Sequence, residues 1–428
     1  MEFKKVLGFW DIFWLSIGAM VGVAVLTFPS VTYLQAGPAS IISWVLAGVF
    51  SIFMALIYIE MVTAFPKSGA LVTFPYEAFG KGKLARYLAF LEGTGYYLGT
   101  VLGIVISAII LGNYIGPGFA TGTVGSFAIA EVALLAAGAI NILGAKLTSR
   151  VNFYLSVFFM VFFSIVIVMG LRNGNLSNLS PFLSGSGLAG LIYAIPITIV
   201  AYGAWTVVIT IPEETVDVRE IPKAVIYSLV VVTVLYALLV LAVYMNLSAN
   251  QLKDTYYYYP VLGLVTLLHS TALLYVFEIA AVVAIFAVLL VMILSNARIV
   301  YALSKLRFLP DSMSKMSSRS IPIYATVISF LIPMALSAFP NYYYQYVVIG
   351  AIIGTGLPRV IDLAAYLKIR KKAGYKPSFR IKRGLAVALV AFFGLVISEL
   401  SLGGSDMLWS AAALIAITAI FFVIDRRR

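Results

Sequence analysis

Glycine and proline residues interrupt two long apolar stretches, and these interruptions are the parts of the chain best suited to bind a solute. Gly18, Gly22 and Pro29 lie in the first stretch, and Gly203 and Pro212 lie in the sixth. A helix inside a bilayer is interrupted only where protein or a watery cavity surrounds the break, so such breaks indicate a binding site. A half-helix that begins after Gly22 presents unpaired N–H groups and its positive dipole end, which suit a carboxylate.

Carbonyl groups at the opposite ends of these breaks complete the predicted site. Half-helices that end near Met20 and Tyr202 expose their last carbonyl oxygens, which suit an ammonium group or another cation. A zwitterion satisfies both kinds of helix end. The peptide groups alone therefore predict a site for a zwitterionic solute, and no charged side chain is required.

The glycine-rich tenth stretch is a competing candidate. It contains Gly350, Gly354, Gly356 and Pro358, and close packing against a neighbouring helix explains such glycines equally well. Topology favours the first and sixth stretches instead. Because five spans are an odd number, span 6 crosses in the direction opposite to span 1, and the two occupy equivalent places in an inverted repeat.

The composition indicates that a lipid bilayer surrounds these stretches. The chain has 428 residues, of which 62% are hydrophobic and 11% are charged, whereas soluble domains carry about 25% charged residues. A helix that crosses a bilayer needs about 20 apolar residues. Twelve segments meet this requirement: 10–35, 40–65, 85–115, 123–143, 149–171, 188–212, 223–246, 270–305, 321–339, 342–367, 384–402 and 404–424.

The sequence thus predicts an all-α membrane protein with twelve transmembrane helices, of which helices 1 and 6 are broken. The whole chain, 1–428, is expected to form one membrane transport domain. Its parts are a first five-helix repeat, an inverted second repeat and the pair of helices 11 and 12, which cover 10–171, 188–367 and 384–424. The chain has no cysteine and a single histidine, His269, so we expect no metal site and no cofactor.

Lys and Arg residues fall almost entirely on one side of the predicted spans. With the N-terminus inside, Arg172 and Lys253 lie on outer segments, Arg298 and Arg359 lie within spans, and the other 25 of the 29 lie on inner segments. Because such residues favour the cytoplasmic side, we expect both termini in the cytoplasm and the protein in the cell membrane. This orientation explains the net charge of +12, so the charge does not indicate that the protein binds nucleic acid. No small-residue cleavage site is visible near the N-terminus, so no removable signal peptide is expected.

Acidic residues inside the spans are candidates for proton coupling, because charged groups within a bilayer are costly and usually functional. Glu92 in span 3 and Glu278 in span 8 are the two candidates, and burial beside water or hydrogen-bond partners is the alternative for each. Arg359 and Asp362 are three residues apart, so they share a helix face and are predicted to form a structural pair.

Two further charged features lie near the inner side. Arg298 either gates the inner exit or extends its guanidinium to the interface. The acid-rich loop 213–223 faces the inside between two basic loops. Two interpretations remain open for this loop: a salt-bridge network that closes the inner side, or ordinary solvation.

Six stretches resemble, in order, motifs of the amino acid–polyamine–organocation transporter family, which has the leucine-transporter fold. They are GAMVGVAVLTFP (18–29), YIEMVTAFPKSGALVTFPYEAFG (58–80), NILGAKLTSRVN (141–152), AYGAW (201–205), PEETVDVREIPKAV (212–225) and NARIVYALSKLRFLP (296–310). The resemblance covers spans 1–10. It implies a five-plus-five inverted repeat with a substrate site between broken helices 1 and 6.

The resemblance also implies roles for individual residues. The family's carboxylate-binding turn falls on Gly22, Val23 and Ala24. Its amine-binding carbonyl groups fall on Met20, Val21, Val200, Ala201 and Gly203. An aromatic residue found in some members falls on Trp205.

Several positions depart from the family pattern. Val23 and Ala24 replace a Ser-Gly pair, which removes a hydroxyl contact to the substrate, and Val200 replaces a gating phenylalanine. Phe159 stands where some members have a lysine that substitutes for sodium. The stretch 278–294 lacks the hydroxyls that sodium-coupled members use. Neither coupling mechanism therefore transfers from the resemblance.

Together these features predict a secondary active transporter of a neutral or hydrophobic amino acid. The amino acid and the lipid bilayer are its expected partners, and the proton is the candidate coupling ion. Two alternatives remain open: a transporter of another amine or organocation with the same fold, and an amino-acid exchanger without ion coupling. An enzyme is not expected, because no cluster of catalytic side chains lies within the spans, and a channel would need a repeated pore loop or charge ring.

Overall fold

The computed structural model describes residues 3–115, 122–183, 186–399 and 404–426, so Arg427 and Arg428, which are predicted to face inside, lie outside the described residues. The described part is mostly helical, with turns and loops between the helices and isolated bridges such as the one between Leu7 and Thr215. The α-helices are α1 (Phe9–Met20), α2 (Val23–Ala36), α3 (Ser40–Ala64), α4 (Ala70–Phe79), α5 (Lys83–Ile115), α6 (Gly122–Leu143), α7 (Ala145–Asn173), α8 (Gly187–Tyr202), α9 (Ile221–Asn246), α10 (Pro260–Leu267), α11 (Thr271–Lys305), α12 (Ile323–Ser337), α13 (Tyr343–Ala351), α14 (Leu357–Ile369), α15 (Gly384–Glu399) and α16 (Gly404–Arg426).

Long apolar helices make this a multi-pass membrane protein. Within the described ranges, nine helical segments are long and apolar enough to cross a membrane, and α1, α12 and α15 are apolar but shorter. Each of the twelve predicted spans overlaps at least one helix. The predicted all-α membrane class is therefore confirmed, because hydropathy over about 20 residues is a direct measure of the preference for lipid.

The first predicted span forms two helices. α1 ends at Met20, Val21 and Gly22 are not helical, and α2 begins at Val23. A Cβ atom on Gly22 would lie 2.6 Å from Cγ2 of Val288 on α11. Glycine is therefore required at this point by the close approach of α11.

The sixth predicted span changes its helical form but is not unwound. α8 ends at Tyr202, and a 3₁₀ helix follows from Gly203 to Thr210. In this tighter form each N–H group bonds to the carbonyl three residues earlier, as the N–H of Gly203 does to the carbonyl of Val200. The predicted break in helix 6 is thus replaced by a change of winding, which leaves fewer carbonyl groups free.

Packing explains the glycines of the tenth span. A short π-helix, Ile352–Gly356, joins α13 to α14. A Cβ atom on Gly99 of α5 would lie 2.5 Å from the Cα of Gly354, so neither position has room for a side chain. This backbone contact brings α5 against the tenth span.

The two altered spans lie side by side within the bundle. α1 packs against the 3₁₀ helix Gly203–Thr210, and α2 packs against α8. α9 and α11 both contact α1, and α3 contacts α8 and α9. Met20 and Val21 are buried as a result, so the interruption of the first span lies inside the protein and not at its lipid-facing surface.

Candidate functional site

One tyrosine hydroxyl connects the two altered spans. Tyr236, fully buried on α9, donates a hydrogen bond to the carbonyl oxygen of Met20 at 2.7 Å, and its oxygen lies 3.3 Å from that of Ala201. A hydroxyl has a single proton to donate, so it satisfies the nearer carbonyl best. The two carbonyl groups predicted to bind an ammonium group therefore converge on one point, but the Tyr236 hydroxyl occupies that point in this structure.

The first turn of α2 forms the opposite side of the site. Gly22 is buried, and Val23 and Ala24 are half-buried against the apolar core. The N–H groups that begin an α-helix have no carbonyl partner within it. These N–H groups are free to donate hydrogen bonds to an anion, and the side chains beside them carry no charge. Carboxylate binding here stays a prediction.

Aromatic side chains surround the sixth-span part of the site. Tyr202 is buried and donates a hydrogen bond from its hydroxyl to the carbonyl of Trp44 at 2.9 Å, and its ring meets that of Tyr236 edge-on at 5.1 Å. Trp205 is also buried, and its ring meets that of Tyr58 edge-on at 5.3 Å. These contacts fix the start of the 3₁₀ helix from several sides.

Other carbonyl groups predicted to bind an amine already have partners. Those of Val200 and Gly203 accept hydrogen bonds from the N–H of Gly203 and the hydroxyl of Thr206, the latter at 3.0 Å. The side chain of Val200 is 58% exposed, so it does not pack into the interior around Met20. The prediction of several free carbonyl groups in the sixth span is therefore wrong, because the 3₁₀ winding and Thr206 satisfy them.

The two coupling candidates lie in different environments. Glu92 on α5 is fully buried, and its carboxyl lies beside that of Asp362 on α14. Glu278 is exposed on α11. The predicted pair of Arg359 with Asp362 is not formed, since neither carboxylate oxygen of Asp362 has a hydrogen-bond partner among the described residues. Arg359 turns instead towards Gly203.

A buried ion pair joins the loop after the sixth span to α11. Nε and Nη2 of Arg298 donate to the two carboxylate oxygens of Glu214 at 2.7 and 3.0 Å, and the ring of Phe3 lies 5.6 Å from the guanidinium carbon. The backbone carbonyl of Glu214 accepts hydrogen bonds from the N–H groups of Val6 and Leu7. The N-terminal segment, the loop after the sixth span and α11 are thereby joined at one place.

The same loop also carries a solvated pair. Asp217 and Arg219 are exposed and form an ion pair at 3.1 Å. Hydrogen bonds from the backbone N–H and the guanidinium of Arg219 lower the pKa of the Asp217 carboxyl. The loop 213–223 therefore contains acids of both kinds: Glu214 forms a buried ion pair and Asp217 is solvated. That the buried pair closes the inner side stays a prediction.

Sequence reasoning did not identify Tyr236 or the contact of Glu92 with Asp362 as parts of the site. The signal for Tyr236 was a hydroxyl-bearing ring in the middle of an apolar span, where an unpaired hydroxyl is costly. The signal for Asp362 was an acid within a span, which was assigned to the nearest arginine in the sequence.

The fold and this geometry define a class: multi-pass helical membrane proteins that expose peptide groups at an interrupted helix within the bundle. The family model for amino acid permeases matches residues 7–424. The chain therefore belongs to the amino acid permease family, whose members are permeases and not enzymes, and the predicted family resemblance is confirmed.

Curated relatives have different printed substrates. Cationic amino acid transporter 5 of Arabidopsis thaliana is 26% identical over 355 residues, covering 79% of this chain and 60% of that protein. A branched-chain amino acid permease of Bacillus subtilis is 26% identical over 343 residues, covering 76% and 72%. A methylthioribose transporter of Bacillus subtilis is 27% identical over 406 residues, covering 88% and 84%. This chain thus spans 60% of the length of the plant transporter.

Proposed function

We propose that this protein is a secondary active transporter of amino acids that works by alternating access. In this proposal all twelve predicted spans cross a cell membrane, 10–171 and 188–367 form inverted repeats, and both termini face the cytoplasm. The zwitterion binds between the first and sixth spans. Membership of the amino acid permease family and the long apolar helices support this function.

One observation carries the proposal: carbonyl groups from two distant spans meet at the hydroxyl of Tyr236. The carbonyl groups of Met20 and Ala201 are buried together, and an ammonium group is a stronger donor to such oxygens than a neutral hydroxyl. The unpaired N–H groups of α2 begin only two residues after Met20, where a carboxylate binds favourably.

The side chains near this point favour a neutral substrate. Val23 and Ala24 line the start of α2 and offer no charge. Burial contributes about 0.8 kcal/mol per CH₂ group, so leucine, with three more carbon atoms than alanine, gains about 2 kcal/mol, or roughly 30-fold in affinity. A cationic side chain would need an acid here, and the chain has none adjacent to Gly22.

Uptake into liposomes tests the site. The purified protein should take up radiolabelled leucine, and Gly22→Trp should abolish uptake because even a Cβ atom meets Val288 at 2.6 Å. Gly82→Trp is the matched control, since no atom lies within 4 Å of a Cβ at Gly82. Undiminished uptake by a folded Gly22→Trp variant would reject the site.

A second solute class is favoured by one comparison, the relative named as a methylthioribose transporter. A thermal-shift screen with leucine, arginine and methylthioribose separates the classes, because a ligand at 100 times its Kd stabilises the folded state by about 2.7 kcal/mol. Stabilisation by leucine alone supports the neutral amino acid. Stabilisation by methylthioribose alone replaces the amino-acid proposal. Uptake measured with and without an imposed proton gradient then separates coupled transport from exchange.

A further inference from the structure

Two buried acids meet away from the site of the zwitterion. Glu92 of α5 and Asp362 of α14 are both fully buried, and their carboxyl groups are neighbours. None of their four carboxylate oxygens accepts a hydrogen bond in the part of the chain that the structure describes. Buried polar groups normally have partners, and two neighbouring carboxyl groups satisfy each other when one carries a proton, because the protonated group donates a hydrogen bond to the other.

Three other ionisable groups face this pair. Tyr58 of α3 is fully buried beside Asp362, and its hydroxyl also has no hydrogen-bond partner. Tyr96 of α5 and Arg359 of α14 complete the group. α4 and α11, which also pack against α5, direct no charged side chain at Glu92 among the described residues. The cluster thus has two acids and a single neighbouring cation.

The cation of this cluster also contacts the substrate site. A Cβ atom on Gly203 would lie 3.5 Å from Nη2 of Arg359, so the guanidinium lies against the start of the 3₁₀ helix. Arg359 and Trp205 line one cavity of about 20 Å³, which has room for a water molecule. Arg359 can therefore respond to charge at Asp362 and change the packing at Gly203.

We infer that Glu92 and Asp362 share one transported proton, and that Arg359 transmits its gain and loss to the substrate site. This inference rests on the proposed function, since it adds the coupling ion to an amino acid transporter. The bound proton lies between the two carboxyl groups. It enters from the outer side with the substrate and forms an O–H bond with one carboxylate oxygen of the pair. That bond breaks when the proton leaves to the inner side.

The charge balance explains how the proton acts at a distance. With the proton bound, the pair carries one negative charge, which the guanidinium of Arg359 balances. Without it, two like charges lie side by side in a medium of low dielectric constant and repel strongly. The guanidinium is then drawn towards Asp362, one helical turn away, and leaves Gly203. Proton loss therefore withdraws a contact from the helix segment that binds the substrate.

Liposome transport with radiolabelled leucine tests the inference. An inward proton gradient should drive the wild-type protein to accumulate leucine above the level reached without a gradient. Glu92→Gln and Asp362→Asn should lose this accumulation but retain leucine–leucine exchange, since neither residue touches the zwitterion. Glu131→Gln is the matched control, because Glu131 is also an acid within a span but has a hydrogen bond from Ser337 and lies on another helix.

A second measurement does not depend on substrate. Infrared difference spectra between acidic and alkaline buffer should contain the C=O stretching band of a buried protonated carboxyl group. The double variant Glu92→Gln, Asp362→Asn should lose this band, and Glu131→Gln and Arg359→Met should retain it. Arg359→Met should nevertheless lose gradient-driven accumulation, because it cannot transmit the charge.

The outcomes separate this inference from the proposed function. If the wild-type protein exchanges leucine but ignores the proton gradient, the coupling inference is overturned and the transporter proposal stands. Gradient-driven accumulation that persists in folded Glu92→Gln and Asp362→Asn variants also overturns it. If no leucine is transported under any condition, the amino-acid proposal fails, and the infrared band alone then decides whether the pair binds a proton.

Discussion

Replacing Glu214 by Gln tests whether its ion pair with Arg298 keeps the inner side closed. Both side chains are buried, and two hydrogen bonds of 2.7 and 3.0 Å join the guanidinium to the carboxylate. Glutamine preserves the volume of the side chain but removes its charge and one acceptor. The guanidinium of Arg298 is then left as an uncompensated charge inside the protein.

The expected size of the effect follows from burial. Removing one partner of a buried ion pair costs about 3–5 kcal/mol, because the other charge stays buried and unpaired. An inward-open conformation relieves this cost by letting water reach Arg298. Since about 1.4 kcal/mol corresponds to a factor of ten, the equilibrium between closed and inward-open forms should shift by roughly 100-fold or more.

Cysteine labelling measures this shift directly. The chain has no cysteine, so one introduced thiol reports without background. Ser295 is buried on α11, one turn from Arg298, and its hydroxyl accepts a hydrogen bond from Thr210 at 3.1 Å. In a Ser295→Cys parent, Glu214→Gln should raise the rate of labelling by a membrane-impermeant maleimide from the inner side by about 100-fold.

A neighbouring acid provides the control for this experiment. Asp217 lies in the same loop and pairs with Arg219, but both are exposed, and exposed pairs contribute little to stability. Asp217→Asn in the Ser295→Cys parent should therefore leave the labelling rate near that of the parent. Equal rates for a folded Glu214→Gln variant and this control would refute the idea that the buried pair holds the inner side closed.

Two further substitutions probe single buried hydrogen bonds. Tyr236→Phe removes the hydroxyl that contacts the carbonyl groups of Met20 and Ala201, and it should lower the stability of the substrate-free protein by about 1–2 kcal/mol. In a thermal-shift assay, leucine should then stabilise the variant more than the wild type. An unchanged leucine shift would count against the ammonium site. Glu60 is fully buried, and its carboxylate accepts hydrogen bonds from the Tyr366 hydroxyl at 3.2 Å and the Ile381 N–H at 2.8 Å. Glu60→Gln weakens these hydrogen bonds and should lower the free energy of unfolding by about 1–3 kcal/mol, measured by thermal unfolding. Glu77→Gln weakens only an ion pair with the exposed Lys67 and should leave the unfolding midpoint nearly unchanged.

Local sequence pattern predicted the helices well and their exact winding less well. Hydropathy predicted the long apolar helices because each depends on its own residues alone, and nine of the described helical segments are long and apolar enough to cross a membrane. Gly22 marked the interruption of the first span correctly, since α1 ends at Met20 and α2 begins at Val23. The sixth span has similar glycine and proline signals, but Gly203 and Thr206 belong to a 3₁₀ helix. The winding of this segment depends on local hydrogen bonds such as that from Thr206 and also on packing against α1 and α11, which are distant in sequence.

Side-chain partners were harder to predict than spans for the same reason. Asp362 was paired with Arg359 because the two lie three residues apart, yet the structure places it beside Glu92, which is far away in the sequence. The partner of Asp362 on α5 depends on how α5 packs against the tenth span, as at the close approach of Gly99 to Gly354. Only the folded arrangement reveals this packing.

The peptide groups proposed to bind the zwitterion and the buried acids Glu92 and Asp362 belong to different helices, and this separation has a mechanistic consequence. The zwitterion is proposed to bind at Met20 and the start of α2, whereas the unpartnered acids Glu92 and Asp362 lie elsewhere. Arg359 contacts both regions, so binding and coupling can be lost independently. A lysine at position 159 or hydroxyls in 278–294 would put the coupling group next to the first span, and this chain has neither. In the inferred mechanism, coupling therefore reaches the substrate through the tenth span, by way of Arg359 and the 3₁₀ helix beside it.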